Sequence, residues 1–352
     1  MIGAQAVDVV LPALHDSLAA AEARGSLRRL AGSLPPIDRG GFEVRLAEAA
    51  SQVDVQQCVK PDDREPLLAH LRTAAGGDSP LARLAARWAD PADAWHERIV
   101  ELWLEWDRPS DAATPSLPAV FVTLPPERQR QAGARDVVDG VLALLLGGVP
   151  GSWTDNVARC FETPEPAIVS HVGLMLSRPG APVRVNVKRL QRDTLVPYLE
   201  ALGWPGDTSD LTAELEPLWA AADRVTTCLD IGSTIGPTLG LELAVDGLDR
   251  WRGLLDVLVD RGLCAPPKRS ALLAWPGHDS PPSRGASWPD RLLVESLLRP
   301  ADELGVVERR LSHVKVSLAP GVAARAKGYL WFGHRWLGFE PREPVTGARP
   351  PS

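Results

Sequence analysis

The chain has 352 residues, of which 45% are apolar and 24% are charged, so it can bury a substantial core as one large domain or two ordinary ones. Its formal net charge of -7 argues against a nucleic-acid partner held by overall charge, and no apolar run approaches the roughly 18 residues of a membrane span. The cysteines lie far apart and predict neither a disulfide framework nor a zinc site. We therefore expect a cytoplasmic protein without nucleic-acid or membrane partners.

The chain begins with a helical pattern and continues with a β-hairpin. Leu11, Leu14 and Leu18 recur at helical spacing and predict a helix over residues 6–31. The alternating runs FEVRL and VDVQQCV follow, joined by small residues, and predict two antiparallel strands. The next stretch, DDREPLLAHLRTAAG, has helical spacing and ends at glycines. These segments form a first hairpin-helix unit.

The same pair of strands recurs four more times along the chain. The alternating runs are IVELWLEWD with PAVFVTL, HVGLML with VRVNV, RVTTCLDIG with TLGLELAV, and HVKVSL with AKGYLWFG. A helical pattern follows each hairpin except the last. Before that last hairpin, a proline-rich connector (264–289) predicts a long loop, either a lid or a plain surface excursion, and then a short helix, DRLLVESLL.

The recurring hairpins predict about ten antiparallel strands, each with one apolar and one polar face. Helices would cover the apolar faces, and closure of so many strands would make the polar faces the lining of an interior wide enough for a ligand. We predict an α+β fold, an antiparallel β-barrel of about ten strands built from five β-β-α units with the helices outside. A single barrel domain would cover residues 41–340, between an N-terminal helical segment (1–40) and a disordered tail (341–352).

Period-2 geometry groups charged and aromatic side chains on the polar faces of these strands. In VRVNV, the valines point one way, so Arg184, Asn186 and Lys188 point the other way together. The cations that we expect to face the interior are Arg45, Lys60, Arg184, Lys188, Lys315 and Lys327. The carboxylates are Glu43, Glu105, Asp230 and Glu242, and the aromatic residues are Trp103, Phe121, Tyr329 and Trp331.

These repeated units with basic inner faces resemble the aromatic prenyltransferases of the ABBA or PT-barrel type, which include enzymes that prenylate peptides. Two short stretches of sequence show the resemblance most clearly. Arg325-Ala-Lys327-Gly-Tyr329 is similar to the basic strands with which such enzymes grip a diphosphate, and Arg184-x-Asn-x-Lys188 is similar in kind. The resemblance covers the chain from about Gly41 to His334 and is one of architecture and pattern, since no long motif matches by identity.

The resemblance implies transfer of an isoprenoid group from an allylic diphosphate to an aromatic or peptide side-chain acceptor inside the barrel. The leaving diphosphate needs cations and hydroxyl donors, and aromatic faces stabilise the allylic cation. A carboxylate would hold or deprotonate the acceptor: the family's usual position favours Glu43, while Asp230 and Glu242 have the clearer strand registers. We expect no metal ligands and no cofactor, although Mg²⁺ can accompany a diphosphate. The implied substrate-binding residues are Arg45, Lys60, Arg184, Lys188, Lys315, Lys327, Tyr329, Trp103 and Trp331.

Other interpretations stay open at this point. The barrel could belong to a peptide-modifying enzyme of a natural-product pathway that does not prenylate, or to a non-catalytic protein that binds an anionic ligand or a precursor peptide. Alternating cations are also common on solvated sheet faces. Asp230 and Glu242 could equally serve as structural ion-pair partners of those cations.

Overall fold

The computed structural model describes residues 2–48, 52–74, 78–107, 117–127, 133–148, 151–176, 180, 182–284, 288–300 and 302–338. The chain opens with two helices, α1 (Ile2–Val10) and α2 (Ala21–Ala31), where the sequence predicted one continuous helix. A 3-10 turn over Leu11–Ala13 separates them, because Pro12 cannot donate a backbone hydrogen bond within a longer helix. The predicted tail (341–352) lies outside the described residues.

The five predicted hairpins then follow in order, with more helices between them than the sequence predicted. The strands are β1 (Arg39–Arg45), β2 (Val53–Val59), β3 (Glu101–Trp106), β4 (Ala119–Thr123), β5 (Ile168–Leu174), β6 (Val183–Lys188), β7 (Arg224–Ile231), β8 (Ile235–Ala244), β9 (Gly277–Asp279), β10 (Glu303–Ala319) and β11 (Val322–Gly338). The helices are α3 (Arg64–Ala74), α4 (Pro80–Ala89), α5 (Trp95–Arg98), α6 (Ala134–Leu146), α7 (Gly151–Cys160), α8 (Arg192–Leu202), α9 (Leu211–Ala221), α10 (Leu248–Asp260), α11 (Pro266–Ala274), α12 (Pro281–Arg284) and α13 (Asp290–Leu297).

All of these strands except β9 form a closed antiparallel barrel. Each strand pairs with the next from β1 to β8, β8 pairs with β10, β10 with β11, and β11 returns to β1. In the closing pair, Phe42 lies opposite Leu330 and Glu43 lies opposite Tyr329. Within the described part of the chain the barrel thus has ten strands, as the sequence predicted. Among the described residues, the short strand β9 pairs with residues 307–309 of β10.

The alternation of side chains decides which face of each strand meets the helices. On β6 the three valines, Val183, Val185 and Val187, are fully buried against the outer layer of helices. Arg184 and Lys188 on the opposite face of the same strand line the interior. The same division holds around the barrel, so the apolar core is a shell between the strands and the helices. No helix among the described residues combines the length and the apolar character that a bilayer crossing requires.

The region around the last hairpin differs from the prediction. The hairpin starts at Glu303 rather than His313, and a bulge between Leu311 and His313 shifts its register where it enters the barrel. No helix follows it in the described residues; instead α1 packs against β10 and β11. The proline-rich connector contains α11 and α12, because proline is favoured in the first turn of a helix. The division at residues 40 and 340 stays a prediction.

We predict that truncation of Phe42 destabilises the closing strand pair. Its ring is fully buried and packs against Trp275 and Phe332, with ring centroids 6.0 and 5.1 Å away. Phe42→Ala should lower the free energy of unfolding by about 3–5 kcal/mol, because it leaves a cavity in the shell. Urea titration followed by circular dichroism measures the loss. The control is Leu297→Ala at a side chain that is 78% exposed, and equal midpoints for the two variants would contradict the prediction.

Candidate active site

The interior of the barrel is a cavity of about 870 Å³ that opens at one end. We call this space the barrel cavity. Its opening, the mouth, lies where β6 ends at Lys188 and β7 begins at Arg224. The lining combines charged, amide, imidazole and aromatic side chains, because the inward faces of the strands carry them. The volume is within the range of small-molecule sites.

Glu43 lies in a buried cluster on β1 and β11. Its carboxylate accepts hydrogen bonds from the Lys327 ammonium and, at 2.5 Å, from the Tyr329 hydroxyl. Burial alone would raise the pKa of Glu43, but the charge of Lys327 and these hydrogen bonds hold the pKa well below its usual range. The Tyr329 ring stacks on His313 with centroids 4.0 Å apart. Three predicted site residues therefore meet here, and Glu43 stays ionised and paired.

Two further ion pairs cross the cavity wall. Arg184 donates two hydrogen bonds to Asp230, at 2.8 and 3.0 Å. The Lys315 ammonium lies 3.4 Å from the Glu242 carboxylate. Although burial alone would raise the pKa of Glu242, Lys315 and other neighbours lower it to about 2. The ion-pair role that the sequence left open for Asp230 and Glu242 is therefore present in the geometry.

The remaining predicted cations occupy opposite ends of the barrel. Lys60 lies near the mouth and contacts the Glu101 carboxylate at 2.5 Å. Glu101 also accepts a 2.9 Å hydrogen bond from the Trp103 indole nitrogen. Arg45 lies at the far end of β1, 3.3 Å from Asp54. Arg45 therefore does not lie at the mouth, and neither does Lys327, which is its cross-strand partner on β11.

Two consecutive cations at the mouth have no ion-pair partner among the described residues. Lys188 ends β6, and its exposed side chain lines the cavity, where desolvation by the surrounding wall lowers the pKa of its ammonium group. Arg189, which also lines the cavity, has a φ of 61°. This left-handed backbone is rare for arginine, and it breaks the alternation that would turn adjacent side chains to opposite faces. Sequence reasoning therefore missed Arg189, and no signal in the sequence marks it.

Glu105 is the inward carboxylate without a cation at ion-pair distance among the described residues. Its Oε1 atom accepts a 2.7 Å hydrogen bond from the Gln56 amide, and its side chain lines the cavity. Burial, followed by the negative charge of Glu43, raises the pKa of Glu105 to about 7, against the opposing effect of Arg184 and Lys315. Glu105 is therefore the carboxyl group in this cavity whose charge changes near neutral pH.

Aromatic rings cover part of the wall. Trp103 packs beside Phe121 on β3 and β4, and Tyr329 and Trp331 line the cavity on β11. Gly173, opposite Phe121 on β5, makes room for that ring, because a Cβ atom there would lie only 2.1 Å from it. The four aromatic residues that the sequence placed inside do face the cavity.

Among the described residues that line the cavity, two buried polar atoms have no hydrogen-bond partner, namely Asn186 Oδ1 and His313 Nε2. Both residues line the cavity, so a polar ligand could satisfy these atoms. Burial lowers the pKa of His313. Burial also lowers the pKa of His171, which lines the cavity too, to about 4. Both imidazoles are therefore neutral at pH 7. Within the described residues, no group of three or more His, Cys, Asp or Glu side chains could hold a metal ion.

Comparison with known proteins identifies the architecture. No protein-family model matches the sequence, and no curated protein matches it. The solved structure of 6-dimethylallyltryptophan synthase from Micromonospora olivasterospora, in complex with DMASPP and Trp, is 14% identical, with a TM-score of 0.53 over 94% of this chain and 97% of that chain. Another 6-dimethylallyl tryptophan synthase structure gives 14% identity and a TM-score of 0.53 over 94% and 96% of the two chains. The chain has the PT-barrel fold.

The predicted resemblance to this fold is therefore confirmed. A 5-dimethylallyl tryptophan synthase from Streptomyces coelicolor, also in complex with DMASPP and Trp, is 15% identical over 99% of this chain and 96% of that chain, with a TM-score of 0.49. At 14% identity, the two 6-dimethylallyltryptophan synthase structures support a shared fold alone, so the reaction has to be argued from the cavity of this chain.

We predict that Glu105→Gln stabilises the protein more at pH 8 than at pH 5.5. The folded-state pKa of about 7 lies above the ordinary value of 4.5, so the fold loses stability as the pH rises through 7 and the buried carboxyl group ionises. Glutamine cannot ionise. The stability gain at pH 8 relative to pH 5.5 should be on the order of 2 kcal/mol.

Chemical denaturation at the two pH values measures this difference. Glu65→Gln, on the exposed face of α3, is the matched control and should show no such pH dependence. A Glu105→Gln effect that is the same at both pH values would contradict the raised pKa.

Proposed function

We propose that this protein is an aromatic prenyltransferase, which binds an allylic diphosphate in the barrel cavity and transfers its isoprenoid group to an aromatic acceptor. The observation that carries the proposal is that Lys188 and Arg189, which have no ion-pair partner among the described residues, line the same cavity as a wall of aromatic rings. Cations attract a diphosphate, and aromatic faces attract an allylic cation. The PT-barrel fold supports the proposal, because the two 6-dimethylallyltryptophan synthase structures share it.

The donor's diphosphate group would lie at the mouth against Lys188 and Arg189. Heterolysis of the allylic carbon–oxygen bond places negative charge on the diphosphate, and fixed cations lower the energy of that transition state. Lys315, Arg184 and Lys327 are already paired with carboxylates, so we assign them the secondary role of adding positive potential and holding the wall in place. Mg²⁺ could bind together with the diphosphate.

The isoprenoid chain and the acceptor would fill the part of the cavity lined by Trp103 and Phe121. These rings would shield the allylic cation from water and stabilise it through their π-faces. The structure in complex with DMASPP and Trp belongs to an enzyme whose name states prenylation of tryptophan, which makes an indole the first acceptor to test. Near the mouth, the half-buried ring of Trp219 also lines the cavity, which favours an acceptor that extends outward, such as a tryptophan within a peptide.

We predict that affinity for prenyl diphosphates increases with chain length and depends on Lys188. Isothermal titration with dimethylallyl, geranyl and farnesyl diphosphates, with and without MgCl₂, should give tighter binding than pyrophosphate alone, because the chain gains apolar contacts. Lys188→Ala should weaken the binding by about 10-fold or more, since a hydrogen bond to a charged group contributes about 1.5–3 kcal/mol. Arg72→Ala, an exposed arginine on the outer helix α3, should bind as the wild type does.

Equal, weak binding of pyrophosphate and all prenyl diphosphates would contradict the proposal. In that case a non-catalytic barrel for an anionic ligand, or a peptide-modifying enzyme of another kind, would explain the basic mouth better. If the donors bind, incubation with free tryptophan and with a capped tryptophan peptide, followed by mass spectrometry, distinguishes a small acceptor from a peptide acceptor.

A further inference from the structure

We propose that Glu105 is the proton acceptor in the transfer reaction, taking the proton that the acceptor ring loses after it is prenylated. This inference rests on the proposed function and deepens it. Of the carboxylates on the inner wall, Glu105 is distinguished by its partner, which is a neutral amide. The family resemblance favoured Glu43 instead, so the two residues give opposing and testable assignments.

Glu105 is held in place and yet accessible. Gln56, on the adjacent strand β2, donates to one carboxylate oxygen at 2.7 Å, which fixes the side chain against the wall. The other oxygen has no hydrogen bond to a described residue, and the residue lines the cavity. The cross-strand neighbour on β4 is Ala119, whose small side chain cannot cover the carboxyl group. A substrate in the cavity can therefore reach it.

The position of Glu105 suits an acceptor ring bound against the aromatic wall. Trp103 lies two residues before it on β3 and points to the same face, and Phe121 pairs with Trp103 on β4. A ring packed against Trp103 and Phe121 would place its edge beside this strand. The proton acceptor must lie at that edge, within hydrogen-bond reach of the ring carbon that loses its proton.

The other wall carboxylates are poorer proton acceptors because each contacts a cation. Glu43 pairs with Lys327, Glu101 with Lys60, and Glu242 with Lys315, and each of these carboxyl groups has a lowered pKa despite its burial. Each carboxylate oxygen of Asp230 accepts a hydrogen bond from the Arg184 guanidinium group. A carboxylate whose charge is neutralised by a fixed cation has little affinity for a proton.

Several charged groups face Glu105 from the strands around it. The negative charges are those of Glu43 on β1 and Asp107, which follows β3, and the positive charges are those of Arg184 on β6 and Lys315 on β10. Tyr329 on β11 also interacts with it and has a raised pKa, so that its hydroxyl stays protonated. The net effect of burial and of these charges raises the pKa of Glu105 to about 7.

The step balances without any further reactant. The allylic carbon–oxygen bond of the donor breaks, and its electron pair leaves with the diphosphate. A π-electron pair of the acceptor ring forms the new carbon–carbon bond, which leaves a proton and a positive charge on the ring. The proton moves to Glu105, the electrons of the carbon–hydrogen bond restore the aromatic ring, and the acid form of Glu105 later returns the proton to solvent.

The test compares Glu105→Gln with Glu43→Gln, using an acceptor whose reacting carbon carries deuterium. For Glu105→Gln we expect donor binding within about 2-fold of the wild type and continued slow hydrolysis of the donor, but a loss of acceptor transfer of about 100-fold. Deprotonation should become rate-limiting, so a primary isotope effect should appear. Glu105→Asp should recover part of the rate. Glu43→Gln should show no isotope effect.

The pH profile provides a second readout that a purely structural role would not change. Transfer by the wild type should increase from pH 5.5 to 8 with an apparent pKa near that of Glu105, at about 7. For Glu105→Gln the profile should be flat in this range. Normal transfer by Glu105→Gln, or an isotope effect in Glu43→Gln instead, would overturn the assignment while leaving the proposed function intact. A wild-type protein that binds no prenyl donor would refute the proposed function itself.

Discussion

Pairing of β1 with β11 is the constraint on which the rest of the molecule depends. That one ladder joins residues from opposite ends of the chain, such as Glu43 and Tyr329, and turns a polar sheet face into an enclosed interior. Enclosure removes the inward side chains from bulk water, so each buried charge must find a partner or lose its charge. The outer shell of apolar side chains holds the strands in this arrangement.

The charged groups around the cavity divide into those with a charged partner and those without one. Paired charges, such as Glu43 with Lys327 and Arg184 with Asp230, form a fixed frame that a ligand cannot easily recruit. Groups without a charged partner are the ones whose electrostatic energy a bound ligand can change. Among the described residues they are the exposed cations Lys188 and Arg189 at the mouth and the carboxyl group of Glu105, and all three line the same cavity as the aromatic rings. The cations can therefore attract the anionic leaving group while a separate carboxyl group accepts the proton. A prenyl transfer inside a barrel requires both.

Alternating patterns in the sequence were sufficient to predict the fold, because period 2 assigns both the strands and their inward faces. They predicted which residues would line the cavity but not how those residues would pair. Pairing depends on the register around the closed barrel: Glu43 meets Lys327 only after ten strands have been placed in order. The left-handed backbone of Arg189 breaks the alternation itself. The sequence did not predict helix α11, because this helix lies in a proline-rich segment that is typical of a loop. Its prolines occupy the first turn of the helix.

The most direct test of the central claim is a crystal structure of the protein with geranyl S-thiolodiphosphate, an analogue whose carbon–sulfur bond resists ionisation. The account predicts that the diphosphate contacts Lys188 and Arg189 at the mouth and that the geranyl chain lies against Trp103 and Phe121. A diphosphate bound on the outer surface, or a prenyl chain that points out of the mouth into solvent, would contradict it.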